Sequence, residues 1–168
     1  MNTRRAIAVP LLLGSFAAVT HGAEPAHQAA LRRFEAEVDA AFAGVPELTA
    51  ADFLARADRD RFLVVDGRTA PERAVSRIEG AIALDQLAAA AGPNAPALLV
   101  YCTIGMRSAA AVLELRGQGY EAFNLRGGVL AWADAGGRFV DSSGETTRTV
   151  HVYGRRWNHL PPGYQARF

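Results

Sequence analysis

The 168-residue chain contains no lysine; all 18 of its basic residues are arginine. Arginine does not deprotonate in proteins, so Schiff-base and amine-base mechanisms are excluded. Cysteine is almost as scarce. Cys102 is the only one, which rules out an internal disulfide and leaves the fold to be held by its core even in an oxidising compartment. Of four histidines, His21 and His27 fall at an N-terminal start expected to be disordered, and His151 and His159 lack ligand spacing. No metal and no cofactor are therefore expected. No histidine sits in a recognisable pairing with Cys102, which disfavours a protease-like Cys-His dyad. An excess of one charge is missing too: the formal net charge is +1, and no basic stripe carries interleaved aromatics, so no nucleic-acid partner is expected. Repeats and low-complexity tracts are absent.

Half of the residues are hydrophobic, enough for the core of one ordinary domain. The chain starts basic, with Arg4 and Arg5, and continues with an apolar run from Ala6 to Val19 that Pro10 and Gly14 interrupt. That run is shorter than a membrane span of about 20 residues, and the small residues from Thr20 to Ala23 suit a signal peptidase. Residues 1–23 are therefore expected to be a signal peptide, cleaved after Gly22 or Ala23, giving a periplasmic or secreted protein with no membrane span. The alternative is an uncleaved anchor, and no cysteine is present there to accept a lipid.

Residues 24–47 form an N-terminal helical segment. Within it Gln28 to Phe42 places Leu31, Phe34, Val38 and Phe42 on one helical face, packed on the domain or presented to a partner. Thr49 is an expected N-cap for a helix through Ala57, with Asp52 in its first turn. A buried strand follows from Phe62 to Val65 and ends at Asp66. Pro71 to Ser76 is read as a short helix, Ala81 to Leu84 as a strand, Asp85 to Ala91 as a helix and Gly92 to Pro96 as a turn. Ala122 to Leu125 is a further strand. Strands alternating with helices imply an α/β fold, a parallel sheet with helices on both faces. In such a sheet ligands collect beyond the carboxyl ends of the strands, where Asp66 and Cys102 both emerge.

The chemistry concentrates in Leu98 to Ser108. A short apolar run, read as a buried strand, leads through Cys102 to a helical run from Ala109 to Leu115. A loop bridging strand to helix turns N–H groups inward, and the helix adds the positive end of its dipole, so an anion is stabilised there. Cysteine is nucleophilic as the thiolate, which such a site favours. Arg107 adds a fixed positive charge and Gly105 the backbone freedom of a tight cradle. Ser108 either caps the helix or donates to the sulfur. The alternative for Cys102 is a small hydrophobe closing a core strand. Arg68 emerges at the same edge, either to orient an anionic donor or to hold the loop through a salt bridge; Asp66 is read as a loop-fixing acceptor and Trp132 as core.

The run Val100-Tyr101-Cys102-Thr103-Ile104-Gly105-Met106-Arg107-Ser108, with Gly119-Tyr120 and Asn124-Leu125-Arg126-Gly127-Gly128-Val129-Leu130-Ala131-Trp132, resembles the second half of a single-domain rhodanese. Leu63 to Arg68 and Pro71 to Ile82 resemble the first-half signature. The likeness runs from about Leu48 to about Gly137, so residues 48–137 are expected to be a rhodanese-like domain and 138–168 a C-terminal extension. Two departures stand out. Arg77 and Glu79 replace the histidine and proline that the family often has before Gly80, and Thr103 stands where some thiosulfate-using members carry a basic residue.

The resemblance implies a sulfurtransferase, which the expected signal peptide makes an exported one. Cys102 takes sulfane sulfur from a donor such as thiosulfate as a persulfide, held by Thr103, Ile104, Gly105, Met106, Arg107 and Ser108 with Arg68, and passes it to a thiol or cyanide. A persulfide carrier or binding module that acts only with a protein partner is the alternative. Phosphatase activity is disfavoured, because Cys102 to Arg107 is Cys-x4-Arg, one residue shorter than the Cys-x5-Arg cradle of phosphatases. A monomer is expected. Thr146 to Phe168 carries four arginines, no acid and four aromatics, and Val150 to Tyr153 alternates like a short strand. This tail is expected to fold back across the domain near the active loop, with docking of a partner as the alternative.

Overall fold

The computed structural model describes residues 23–90 and 95–168. The expected signal peptide lies outside the described residues except for Ala23, as do Ala91 of the expected helix and Gly92 to Asn94 of the expected turn. In chain order the elements are α1 (Ala26–Ala41), β1 (Glu47–Leu48), α2 (Ala50–Ala55), β2 (Phe62–Asp66), α3 (Ala70–Val75), β3 (Arg77–Ile78), β4 (Ile82–Ala83) and α4 (Leu87–Ala90). They continue with β5 (Ala97–Tyr101), α5 (Met106–Gly117), β6 (Ala122–Leu125), α6 (Gly128–Asp134), β7 (Phe139–Val140), β8 (Thr146–Thr147), β9 (Thr149–His151) and β10 (Gln165–Arg167).

Five strands make one wholly parallel sheet in the order β1-β6-β5-β2-β4. β5 lies at its centre, and the near-continuous apolar run Leu98-Leu99-Val100-Tyr101 reflects a strand covered on both faces. Leu99 and Tyr101 point to the layer of α1, α2 and α6, among Phe34, Phe53 and Trp132. Leu98 and Val100 point to the other layer, where Leu87 of α4 and Val112 of α5 pack. α1 packs on the domain, since Ala30, Phe34 and Val38 at helical spacing are buried. Thr49 caps α2 by accepting from the Asp52 N–H at 3.0 Å, and its hydroxyl donates to the Asp52 carboxylate.

β3, β7 and β8 form a small antiparallel sheet, and β9 pairs with β10 in parallel. The tail folds back as expected: Val150 and Val152 are fully buried, and the His159 ring lies 5.6 Å from that of Phe34. His27 does not belong to a disordered start. It sits on α1 and meets the Asp134 carboxylate at 2.9 Å. The helix expected over Asp85–Ala91 opens as a 3-10 turn, Leu84–Gln86, before α4. Among the described residues no helix is long and apolar enough to cross a membrane.

Candidate active site

Asp66 and Tyr101 are register partners at the carboxyl ends of β2 and β5, so the loops leaving these two strands emerge at one edge of the sheet. Cys102 comes directly after β5. α5 begins at Met106, three residues before the expected Ala109, because Gly105 takes the N-cap place at φ +96° and helical geometry starts at once. Met106, Arg107 and Ser108 are therefore the first helical turn, whose N–H groups have no intrahelical acceptor. The loop proper is only Cys102 to Gly105.

α6 shapes that loop from behind. The Val129 N–H donates to the Cys102 carbonyl at 2.9 Å and the Leu130 N–H to the Thr103 carbonyl at 3.5 Å. The peptides are trans, so the N–H groups of Thr103 and Ile104 point away from α6. Such close approach requires Gly128, where a Cβ would collide with the backbone of Cys102 and Thr103.

Cys102 is 1% exposed, and its sulfur lies 3.5 Å from the Ser108 hydroxyl. That hydroxyl has one proton and three acceptors within reach: Asn124 Oδ1 at 2.6 Å, the Gly105 carbonyl at 3.2 Å and the sulfur. The Asn124 amide is oriented by donation to the Glu47 carboxylate at 2.7 Å, which turns its oxygen toward Ser108. Ser108 thus couples the sulfur to a buried polar chain rather than acting as a free donor. Asn124 is a polar residue inside an otherwise apolar strand, the signal by which it could have been found.

Arg107 forks onto Glu72 of α3, at 2.9 and 2.7 Å, and also donates to the Thr103 hydroxyl at 3.3 Å. Glu72 further accepts from the Thr69 N–H at 2.8 Å and hydroxyl at 2.7 Å. Burial opposes the charge of Glu72, yet Arg107 and Thr69 together outweigh it and hold the carboxyl at about 2. The pairing with Glu72 pushes the Arg107 pKa up against burial, with Cys102 nearby adding to the effect. The Thr69-x-x-Glu72 spacing marks a helix start in the sequence, but its partner Arg107 lies 35 residues on.

Arg68 requires a correction: the structure takes it out of the expected substrate-binding set. It is 3% exposed and fully engaged, with Nε and a terminal nitrogen on Asp66 at 3.0 and 2.8 Å and further bonds to the carbonyls of Ser76 and His151. The Tyr101 hydroxyl donates to the same Asp66 carboxylate at 2.5 Å. Asp66 accepts throughout, as expected, and this buried cluster joins β2, β5 and β9 beneath the site. Burial and the Asp66 charge push the Tyr101 phenol well above its ordinary value.

A cleft of about 300 Å³ opens onto the thiol. Its floor is Cys102, Thr103, Ile104, Met106 and Arg107. Tyr153, Arg156 and Trp157 of the tail form one wall, and Glu37 of α1 borders it. Gly105 and Ser108 lie behind the floor as supports. The wall residues depend on long-range packing and had no local signal beyond the aromatic richness of the tail.

The parallel sheet and the segments that frame this thiol have counterparts among known proteins. The family model for the rhodanese-like domain matches residues 49–135. A sulfurtransferase from Allochromatium vinosum is 38% identical over 85 residues, covering 48% of this chain and 79% of that protein. A rhodanese-related protein from Thermoplasma volcanium superposes with a TM-score of 0.50 at 26% identity, over 56% of this chain and 97% of that one. Thiosulfate sulfurtransferase from Pseudomonas aeruginosa shares the fold, with a TM-score of 0.52 at 24% identity over 69% of this chain and 23% of that one. The family model spans more than half of the chain and takes in both the thiol loop and the α6 start that shapes it; the chain belongs to the rhodanese-like domain family.

Proposed function

We propose that the protein is a sulfurtransferase in which Cys102 carries the sulfur. The observation that carries this reading is the placement of the only thiol at the floor of an open cleft, at the foot of α5. The Cys102 thiolate attacks the outer sulfur of a sulfane donor. In thiosulfate the S–S bond breaks and sulfite leaves with the bonding electron pair, so the charge is conserved and a Cys102 persulfide anion remains. The N–H groups of Thr103 and Ile104 and of the first turn of α5 provide for that anion. Cyanide or a thiolate then takes the terminal sulfur and returns Cys102 as thiolate. The basic start and the apolar run before Thr20 support export of the protein.

Intact mass spectrometry after incubation with thiosulfate or an organic thiosulfonate tests the reading. A gain of one sulfur, removed by cyanide and absent in Cys102→Ser, is the expected result, because a serine hydroxyl fits but is not appreciably ionised at neutral pH. No gain with either donor would overturn it. Sulfur that loads but reaches no small acceptor would place the protein among carriers that require a protein partner.

A further inference from the structure

The wall of the cleft comes from outside the family domain. The family match ends at residue 135, whereas Tyr153, Arg156 and Trp157 belong to the tail. Tyr153 is the one non-glycine among the described residues with positive φ, +67°, a conformation that costs an aromatic residue energy. Tyr153 is 55% exposed and so returns little to the core. The conformation is held by donation from the Tyr153 N–H to His151 Nδ1 at 3.1 Å. The Tyr153 ring is thereby set edge-on to Trp157, centroids 5.2 Å apart, with the Arg107 guanidinium 5.0 Å from its centroid. Strain held in place to expose a ring at the mouth of a reactive site points to a ligand.

Charge narrows what that ligand is. Two guanidinium groups face the cleft, and each has a carboxylate: Arg107 with Glu72 at 2.7 Å and Arg156 with Glu37 at 3.5 Å. These pairs leave no excess positive charge to offset a thiolate at Cys102. An inorganic dianion finds no unpaired guanidinium among these groups, while a molecule with an apolar body gains contact with Tyr153, Trp157 and Met106. A cleft of about 300 Å³ is at the lower end of those that hold small organic molecules, about 300–1,000 Å³.

Resting on the sulfur-transfer reading, we propose that Tyr153 and Trp157 select an organic sulfane donor, apolar in its body and bearing at most one negative charge, over inorganic thiosulfate. With an aryl thiosulfonate, the Cys102 thiolate takes the outer sulfur, the bond between the two sulfurs breaks, and the aryl sulfinate leaves with the electron pair.

The test measures kcat/KM with benzenethiosulfonate and with thiosulfate, cyanide being the acceptor in both, for wild type, Tyr153→Asn, Tyr153→Phe and Trp157→Ala. Asparagine tolerates the left-handed backbone and removes the ring. Wild type is expected to prefer benzenethiosulfonate, and the ratio of the two constants to fall about tenfold in Tyr153→Asn and Trp157→Ala, the loss of one aromatic contact. Tyr153→Phe, which keeps the ring, is expected to retain the ratio. Turnover of both donors with the same ratio in all four proteins would overturn the selection while leaving sulfur transfer intact. Failure of both donors to load sulfur on wild-type Cys102 would remove the underlying reading and the selection with it.

Discussion

Glu72 governs the thiol loop from a different helix. It is 2% exposed, and each of its acceptor oxygens is engaged by the Arg107 fork, with Thr69 adding two further donors. Its pKa of about 2 lies below the ordinary value of 4.5. A carboxyl depressed in the folded state contributes stability that is fully present above about pH 4.5 and is lost as the pH falls through about 2. The contribution is on the order of 3 kcal/mol. Thermal melts of Glu72→Gln are accordingly expected to lie below wild type at pH 7, with the gap closing between pH 5 and pH 2. A gap that stays constant over that range would contradict an origin in the ion pair. Arg107→Ala uncovers this buried carboxylate, so its effect on the thiol is separable from its effect on the fold only in a Glu72→Gln background.

Between α6 and the active loop the contact is backbone on backbone, and so it is set by Gly128 rather than by any side chain. Gly128→Ala is expected to cost roughly 3 kcal/mol in urea unfolding, through the collision and the positive φ of +56°. Sulfur loading followed by intact mass should slow more than tenfold, and loading at the wild-type rate would show that the loop holds its shape without α6. The order β5, thiol loop, α5 was legible in the sequence because every signal for it is local: an apolar run, Gly105, and a run of helix formers within a few turns. The start of α5 lies three residues ahead of the sequence expectation because Arg107 and Ser108, polar in the sequence, turn toward Glu72 and Asn124 instead of ending a loop. The tail wall was legible only as an aromatic-rich stretch. Its position depends on burial of Val150 and Val152 and on Arg68 reaching the His151 carbonyl 83 residues away, and no local pattern encodes such a pairing. Arg68 takes the salt-bridge reading and leaves the substrate-binding one for the same reason, since proximity along the chain to Asp66 is visible but burial under β9 is not.

Across the whole molecule, the segments flanking the family domain close on the same mouth. α1 is fastened to the sheet by Arg126, which meets Asp39 at 2.7 Å, Glu47 at 2.5 Å and Glu35 at 3.5 Å. Burial raises the Glu35 pKa, with Arg126 opposing and Glu47 and Asp39 reinforcing, so three acids depend on one guanidinium. Arg126→Gln is expected to speed amide exchange over Ala26–Ala41 by about tenfold, a local loss of roughly 1–2 kcal/mol, with β5 protection retained. Equal acceleration in β5 would show that α1 and the sheet open as one unit. The arrangement of the tail also has an optical consequence. The chain has two indoles. Trp132 is enclosed beside Phe53, its ring 6.1 Å away, while Trp157 stands at the edge of the cleft that opens on the sulfur. Emission from Trp132 is thus expected to be a steady background, and emission from Trp157 to respond when a molecule enters the cleft. The protein carries its own fluorophore at the entrance, and occupancy can be followed by light without a label.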